Sequence, residues 1–149
     1  MEIAVLQSNR QAAAIAASRR IDKLLFFIIH ECPIDETWKE ITWTNGYYWV
    51  SNKGRVLSLC GKVPKILKPY NCNGYLYVEI YGHGRRINRL VGQAFCDNPE
   101  AKPIVHHGDD NKLNNDADNL AWATHSENTV AYYESKRKRE AVESEKAIE

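Results

Sequence analysis

The chain has four cysteines in 149 residues, and no two of them form a Cys-x-x-Cys pair. That spacing excludes a zinc ribbon, and Cys32, Cys60, Cys72 and Cys96 read as reduced thiols of a cytosolic protein. A long apolar run is missing as well. The strongest candidate, Leu24 to Ile29, is far shorter than the roughly 20 residues that cross a bilayer. The cations before it, Arg19, Arg20 and Lys23, lie too deep in the chain for an ordinary signal peptide. Net charge is almost absent too, at +1. With 44% hydrophobic residues there is enough apolar material for a modest core, and the length fits one compact domain with appendages.

The near-zero net charge conceals a segregated pattern. Residues 52–90 carry eight basic groups and one acidic group, whereas residues 97–120 carry two basic and six acidic. A positive segment beside an acidic loop suits a surface that tracks phosphate next to a cation site. On its own, such a basic run is equally the solvated face of a sheet.

The basic segment has strand character. Trp38, Ile41 and Tyr47 to Ser58 read as a strand, a tight Asn52-Lys53-Gly54 turn and a second strand. Lys65 to Pro69 and Tyr75 to Tyr81 add two more. In the last of these Leu76, Val78 and Ile80 face one way and Tyr75, Tyr77, Glu79 and Tyr81 the other, so a two-faced antiparallel sheet is implied. Helical spacing follows in Leu90, Val91, Ala94 and Phe95. Upstream, Ser8 to Cys32 reads as a helix that packs on the sheet or on another copy of the chain, and the charged end from Glu134 to Glu149 as a solvated helix or a fraying one.

The densest polar stretch is VHHGDDNKLNNDADNLAWATHSEN, residues 105–128. Asp/Asn/Gly-rich sequence is ordinary turn material, but here it is framed by structure. His106 and His107 stand side by side on a strand and therefore point to opposite faces. The run Asn119 to Ala123 suits a second strand. Thr124 and Glu127 have the spacing of a capping box, which starts a helix with Asn128 in its first turn. Strand, loop, strand and helix together bring His106, His107, Asn119 and Asn128 into one neighbourhood, whereas His30, His83 and His125 fall outside it.

This segment resembles the HNH homing-endonuclease family with its ββα-metal core, in which a histidine pair or Asp-His is followed by two asparagines. The stretch before it, Tyr48-Trp49-Val50-Ser51-Asn52-Lys53-Gly54-Arg55-Val56, resembles the NUMOD4 module that precedes such cores in phage and mobile-element enzymes. The two resemblances cover about residues 36–133. They imply an α+β fold in which a small antiparallel sheet module (35–96) is followed by an HNH ββα-metal core (97–134), with an N-terminal helical segment (1–34) and a charged C-terminal tail (135–149). Departures from the family pattern are Gly108 and Asp110, where an apolar residue and a turn glycine are usual, and Asn88, where a histidine is usual.

The resemblance also implies roles. His107 is the general base that deprotonates the attacking water, Asn119 orients its ring, and His106 and Asn128 hold one divalent metal. Mg²⁺ is the expected ion and Mn²⁺ the second choice, because one imidazole and one amide oxygen leave most coordination positions to water and phosphate. Lys53, Arg55, Lys65, Lys68, Arg85, Arg86 and Arg89 are the candidates for contact with double-stranded DNA, although Arg55 and Arg89 serve equally well as structural pairs. The implied function is metal-dependent cleavage of DNA phosphodiesters, by nicking or double-strand cutting, in a phage or bacterial host cell. The alternatives are a DNA-binding module that retains the fold without activity, and an interaction protein that dimerises through the N-terminal helix. No DNA-reading repeat is visible after residue 134, so weak sequence specificity is expected.

Overall fold

The protein is described by a computed structural model that covers the backbone of residues 2–146 and the side chains of residues 14–144. A long helix α1 (Glu2–Glu31) precedes the strands β1 (Trp38–Glu40), β2 (Tyr48–Ser51), β3 (Val56–Ser58) and β4 (Lys65–Ile66), then β5 (Tyr70–Cys72), β6 (Tyr75–Ile80) and β7 (His83–Arg86). Helix α2 (Ile87–Phe95) leads to β8 (Ile104–His107), β9 (Leu120–Ala123) and helix α3 (His125–Lys146). No helix among the described residues is long and apolar enough to cross a membrane.

The expected α+β mixture is present, but the antiparallel strands divide into sheets of order β1-β2-β3-β4, β5-β6-β7 and β8-β9. Two strands, β5 and β7, were not anticipated. Their residues are exposed throughout, so they lack the apolar alternation by which a strand is read. They exist because Asn73-Gly74 and Tyr81-Gly82 adopt positive φ in pairs, as two-residue hairpin turns require. Tyr81 tolerates this backbone because its ring meets Tyr48 edge-on at 5.0 Å and its hydroxyl donates to the Thr44 carbonyl at 3.1 Å.

The first sheet is covered on both faces. Tyr48, Val50 and Val56 point into a core shared with Val78, Ile80, Ile87, Leu90, Val91, Val105 and Leu120. Their neighbours Trp49 and Leu57 point the other way, into a smaller cluster with Leu24 and Phe27 of α1 and Leu59. α1 therefore packs on the sheet of its own chain. The opposite side of that helix leaves Ile21, Leu25 and Ile29 exposed. α3 continues as one helix through Lys146 with no break at residue 134.

One charge pair lies inside this framework. The Arg55 guanidinium donates from both Nε and Nη2 to the Glu36 carboxylate, whose side chain is only 1% exposed. Arg55 also lies over the Trp38 ring at 5.6 Å. A buried carboxylate held by a single cation becomes costly when that cation is removed, by about 3 kcal/mol or more. Arg55→Met is therefore expected to lower unfolding free energy by about 3 kcal/mol in urea melts at neutral pH, with DNA affinity of the folded fraction little changed. Unchanged stability with weakened DNA binding would instead return Arg55 to the DNA-contact group.

Candidate active site

Strands β8 and β9 pair antiparallel, with His106 opposite Ala121 and His107 opposite Leu120, and helix α3 begins immediately after β9. The helix start is fixed by the expected capping box. The Thr124 backbone N–H donates to Glu127 Oε2 at 2.7 Å, and the Glu127 N–H donates to Thr124 Oγ1 at 3.2 Å. Lys102 adds a bond to Glu127 Oε1 at 2.9 Å. The Thr124 N–H, then Lys102, bring the Glu127 carboxyl down to about 2.

One turn into α3, Asn128 faces β8, and its Oδ1 lies 3.1 Å from His106 Nδ1. His106 and His107 leave the strand on opposite faces, yet both border one open cavity of about 330 Å³, because the ladder ends at His107 and the chain turns away there. The same cavity is lined by Tyr75, Asp110, Lys112, Asn128, Tyr132 and Tyr133. Ligands lying about 2.1 Å from a hard divalent ion stand about 3.0 Å apart when they occupy adjacent octahedral corners, so the Nδ1 to Oδ1 separation fits one shared ion. The donor set is one imidazole nitrogen and one amide oxygen. Among the described residues no cluster of three or more His, Cys, Asp or Glu converges as a closed metal cage would.

His107 is 5% exposed. Burial lowers its pKa below the ordinary imidazole value, against the opposing pull of its hydrogen bond to Asn115, so the ring is neutral at pH 7. Its tautomer is also set. Asn115 donates through Nδ2 to the Leu113 carbonyl at 3.2 Å, which leaves Oδ1 to accept from His107 Nε2–H at 3.2 Å. Nδ1 then carries the lone pair. It forms no hydrogen bond among the described residues and is not sealed from solvent.

Asn119, the residue expected to orient this ring, is engaged elsewhere. Its Oδ1 accepts the Asp109 N–H at 3.0 Å, and its Nδ2 donates to Asp109 Oδ1 at 2.8 Å and to the Asn114 carbonyl at 2.9 Å. The loop doubles back, so the residue eight positions after His107 reaches the ring while the residue twelve positions after it closes the base of the loop. Nothing local in the sequence distinguishes Asn115 from Asn111 or Asn114. What does so is a contact from far away in the chain. The β2–β3 turn at Asn52 to Gly54 abuts the loop, with the Asn52 carbonyl accepting the Ala117 N–H at 2.7 Å and Lys53 paired with Asp116 at 3.2 Å. At Gly54 (φ +75°) an added Cβ would lie 2.9 Å from Asn115 Cβ and 3.2 Å from its carbonyl oxygen.

The basic candidates separate into groups. Lys53 is tied to Asp116 and Arg55 to Glu36, while Lys65 and Lys68 are exposed and line neither the histidine cavity nor the one around Arg85, Arg86 and Arg89. Arg85, Arg86 and Arg89 come together with Trp43, Tyr77 and Gln93 around a second cavity of about 510 Å³. Arg85 lies 5.0 Å over Trp43 and Arg86 lies 4.7 Å over Tyr75, and Arg86 Nε donates to the Tyr77 hydroxyl at 2.6 Å. Arg89 rests 5.7 Å over Trp122.

A histidine pair at the end of a hairpin strand, an asparagine in the first turn of the following helix and a loop bent around the second histidine form one ββα unit around an open cavity. Residues 89–130 belong to the HNH endonuclease family and residues 36–81 match the NUMOD4 motif. It is 41% identical over 102 residues to the uncharacterized HNH endonuclease L247 of Acanthamoeba polyphaga mimivirus, covering 62% of this chain and 25% of that protein. It is 38% identical over 92 residues to the DNA endonuclease I-HmuI of Bacillus phage SP01, covering 58% and 52%. A solved structure describing DNA binding and cleavage by the HNH homing endonuclease I-HmuI superimposes with a TM-score of 0.57 at 34% identity, over 70% of this chain and 66% of that one. The chain thus spans between a quarter and about half of the length of these curated relatives.

Gly54→Ala places a side chain against the Asn115 backbone and forces a left-handed conformation on alanine, which costs about 1–2 kcal/mol. The expected result is a correspondingly lower urea midpoint together with a changed chemical shift of the His107 ring; a shifted midpoint with an unaltered His107 signal would show that the turn does not position the loop. The cap is checked by acid titration. The depressed Glu127 pKa means its stabilisation is complete above about pH 4.5 and is lost as pH falls towards 2, so Glu127→Gln should flatten the acid limb of the stability curve in that window.

Proposed function

We propose that this protein is a metal-dependent DNA endonuclease of the homing type, in which residues 97–134 carry out the chemistry and residues 35–96 hold the DNA. The observation that carries the reading is the convergence of the His106–Asn128 pair and the buried, neutral His107 on one open cavity.

His107 Nδ1 is the general base. It takes a proton from water as the water oxygen bonds to phosphorus and the P–O3′ bond breaks, and a solvent proton completes the departing 3′ hydroxyl, leaving a 5′ phosphate. A neutral imidazole is available for this at pH 7, and positioned general-base catalysis contributes roughly 10²- to 10⁴-fold. Asn115 acts through His107 by holding its Nε2–H, and Asn119 acts one step further out by holding the loop. HNH endonucleases generally use a divalent metal. When bound by His106 and Asn128, such an ion supplies Lewis-acid stabilisation of the phosphate and the leaving oxygen. For His106 to bind it through Nδ1, the ring must carry its proton on Nε2. Two neutral donors, with the remaining positions left to water and phosphate oxygens, favour Mg²⁺, and the imidazole makes Mn²⁺ a good substitute.

The Arg85, Arg86 and Arg89 cluster is the favoured contact for the DNA backbone, with Lys65, Lys68 and Lys53 in supporting positions. A DNA-binding module without activity is the competing reading. Plasmid nicking in Mg²⁺, Mn²⁺ or EDTA separates the two. We expect nicking with either metal and none in EDTA, loss of about 10²-fold or more in His107→Ala with DNA affinity preserved, and a raised metal requirement in Asn128→Ala. Cleavage by His107→Ala at the wild-type rate would remove the assignment of the base, and salt-sensitive DNA binding without cleavage under any metal would establish the binding module.

A further inference from the structure

We propose that Lys112 is a catalytic residue, its ammonium donating a hydrogen bond to a non-bridging oxygen of the scissile phosphate beside the His106–Asn128 pair. The proposal rests on the endonuclease reading above and adds to it a residue outside the histidine and asparagine set.

Lys112 lines the same cavity as His106, His107 and Asn128, and of the residues that line it Lys112 is the one fixed cation. The donors expected to hold the metal are an imidazole nitrogen and an amide oxygen, neither of which carries a fixed charge. The phosphoryl group gains negative charge as water adds, so Lys112 is the protein group able to meet that charge. Preorganised donors of this kind matter most where charge develops.

The lysine is also free to do so. No carboxylate among the described residues lies within ion-pair distance of it, and the acids beside it in the loop are already engaged. Asp109 is bonded to Asn114 and Asn119, which hold its carboxyl below the usual range, and Asp110 lies 3.7 Å from Arg139. The Lys112 stem passes the β5–β6 turn, with Cδ 3.7 Å from where a Cβ on Gly74 would lie. Its Nζ sits 4.8 Å from the centre of the Tyr75 ring. That ring is 6.2 Å from His107, and Arg86 lies 4.7 Å over it. Tyr75 thus has a cation from each cavity against it, and these two cations connect the arginine-lined cavity to the histidines. A strand held by Arg85 and Arg86 would be led across Tyr75 to Lys112. A cation resting on an aromatic ring without an ion pair keeps its hydrogen-bond donors available for phosphate.

The test compares wild type with Lys112→Met and Lys112→Arg in single-turnover plasmid nicking at saturating protein and Mn²⁺. Alongside it, the salt dependence of binding to a short duplex is followed by fluorescence anisotropy in EDTA. Lys112→Met should slow cleavage by about 10²-fold and reduce the slope of log affinity against log salt by about one, while Lys112→Arg stays within about tenfold of wild type. Thermal melting serves as the control, with Lys112→Gln substituted should the methionine variant melt early. Nicking by Lys112→Met within about threefold of wild type, or an unchanged salt slope, overturns the proposal. Equal loss in the methionine and arginine variants also overturns it, since that pattern belongs to a structural residue. A wild-type protein that fails to nick with any metal overturns the endonuclease reading itself, whereas active wild type with an unaffected Lys112→Met overturns the role of Lys112 alone.

Discussion

The seating of the β2–β3 turn against the loop that follows His107 is the constraint on which the site depends. A loop from Gly108 to Asn119 rich in Asn and Asp has many ways to satisfy its own hydrogen bonds, and ordering it costs about 1–2 kcal/mol of backbone entropy per residue. Its internal bonds, Asp109 to Asn114 and Asn119 among them, make it compact but do not say where it lies. The location comes from the Asn52 carbonyl, the Lys53 ammonium and the bare Cα of Gly54, which hold Ala117, Asp116 and Asn115 respectively. With Asn115 fixed, the His107 ring is fixed as well. The NUMOD4 segment therefore does structural service for the HNH segment in addition to any contact it makes with DNA.

The two segments are also joined through one core. Val50 and Val56 of the first sheet, Val78 and Ile80 of the second, and Val105 and Leu120 of the nuclease hairpin share a single cluster, with α2 between them. Gly92 brings α2 close to the hairpin, since an added Cβ would stand 3.0 Å from Val105 and 3.5 Å from Trp122. In return the Trp122 indole donates to the carbonyls of Gly92 and Cys96 at 3.3 and 3.1 Å, the first of which also accepts the Cys96 N–H at 3.1 Å. Close approach and a polar anchor together set the angle at which β9 presents α3, and hence where Asn128 meets His106.

The parts of this arrangement that could be read from the sequence are those encoded locally. The Thr124–Glu127 box, the two strands around the polar loop, and the placing of His106 and Asn128 at the two ends of one contact all follow from spacings within about four residues or from a single hairpin. What could not be read depends on distant contacts. Asn115 and Asn119 carry the same side chain in the same loop, and only the turn at Gly54, some sixty residues earlier in the chain, decides which one reaches the ring. Arg55 illustrates the same limit: its motif suits phosphate or a carboxylate equally, and the answer lies with Glu36, nineteen residues away. Strands β5 and β7 escaped notice because solvent lies over their residues and only their turns mark them.

Adjacent residues on a strand end up with different chemistry because their surroundings differ. His107 shares the inward side of β8 with Val105, beneath Tyr75, and burial holds it below the usual imidazole pKa. A lower pKa makes a weaker base, but it ensures that the base is unprotonated at neutral pH, and for proton transfer near pH 7 that balance favours a value close to the working pH. His106 lies on the more exposed side, where its Nδ1 meets the Asn128 oxygen and open cavity. Under the proposed roles, exchange of the two environments would leave a buried ligand out of reach of water-bound ions and an exposed base competing with protons. The alternation of the strand at its last two residues, with the loop folded over one of them, is what gives two identical side chains the two environments that the proposed mechanism requires.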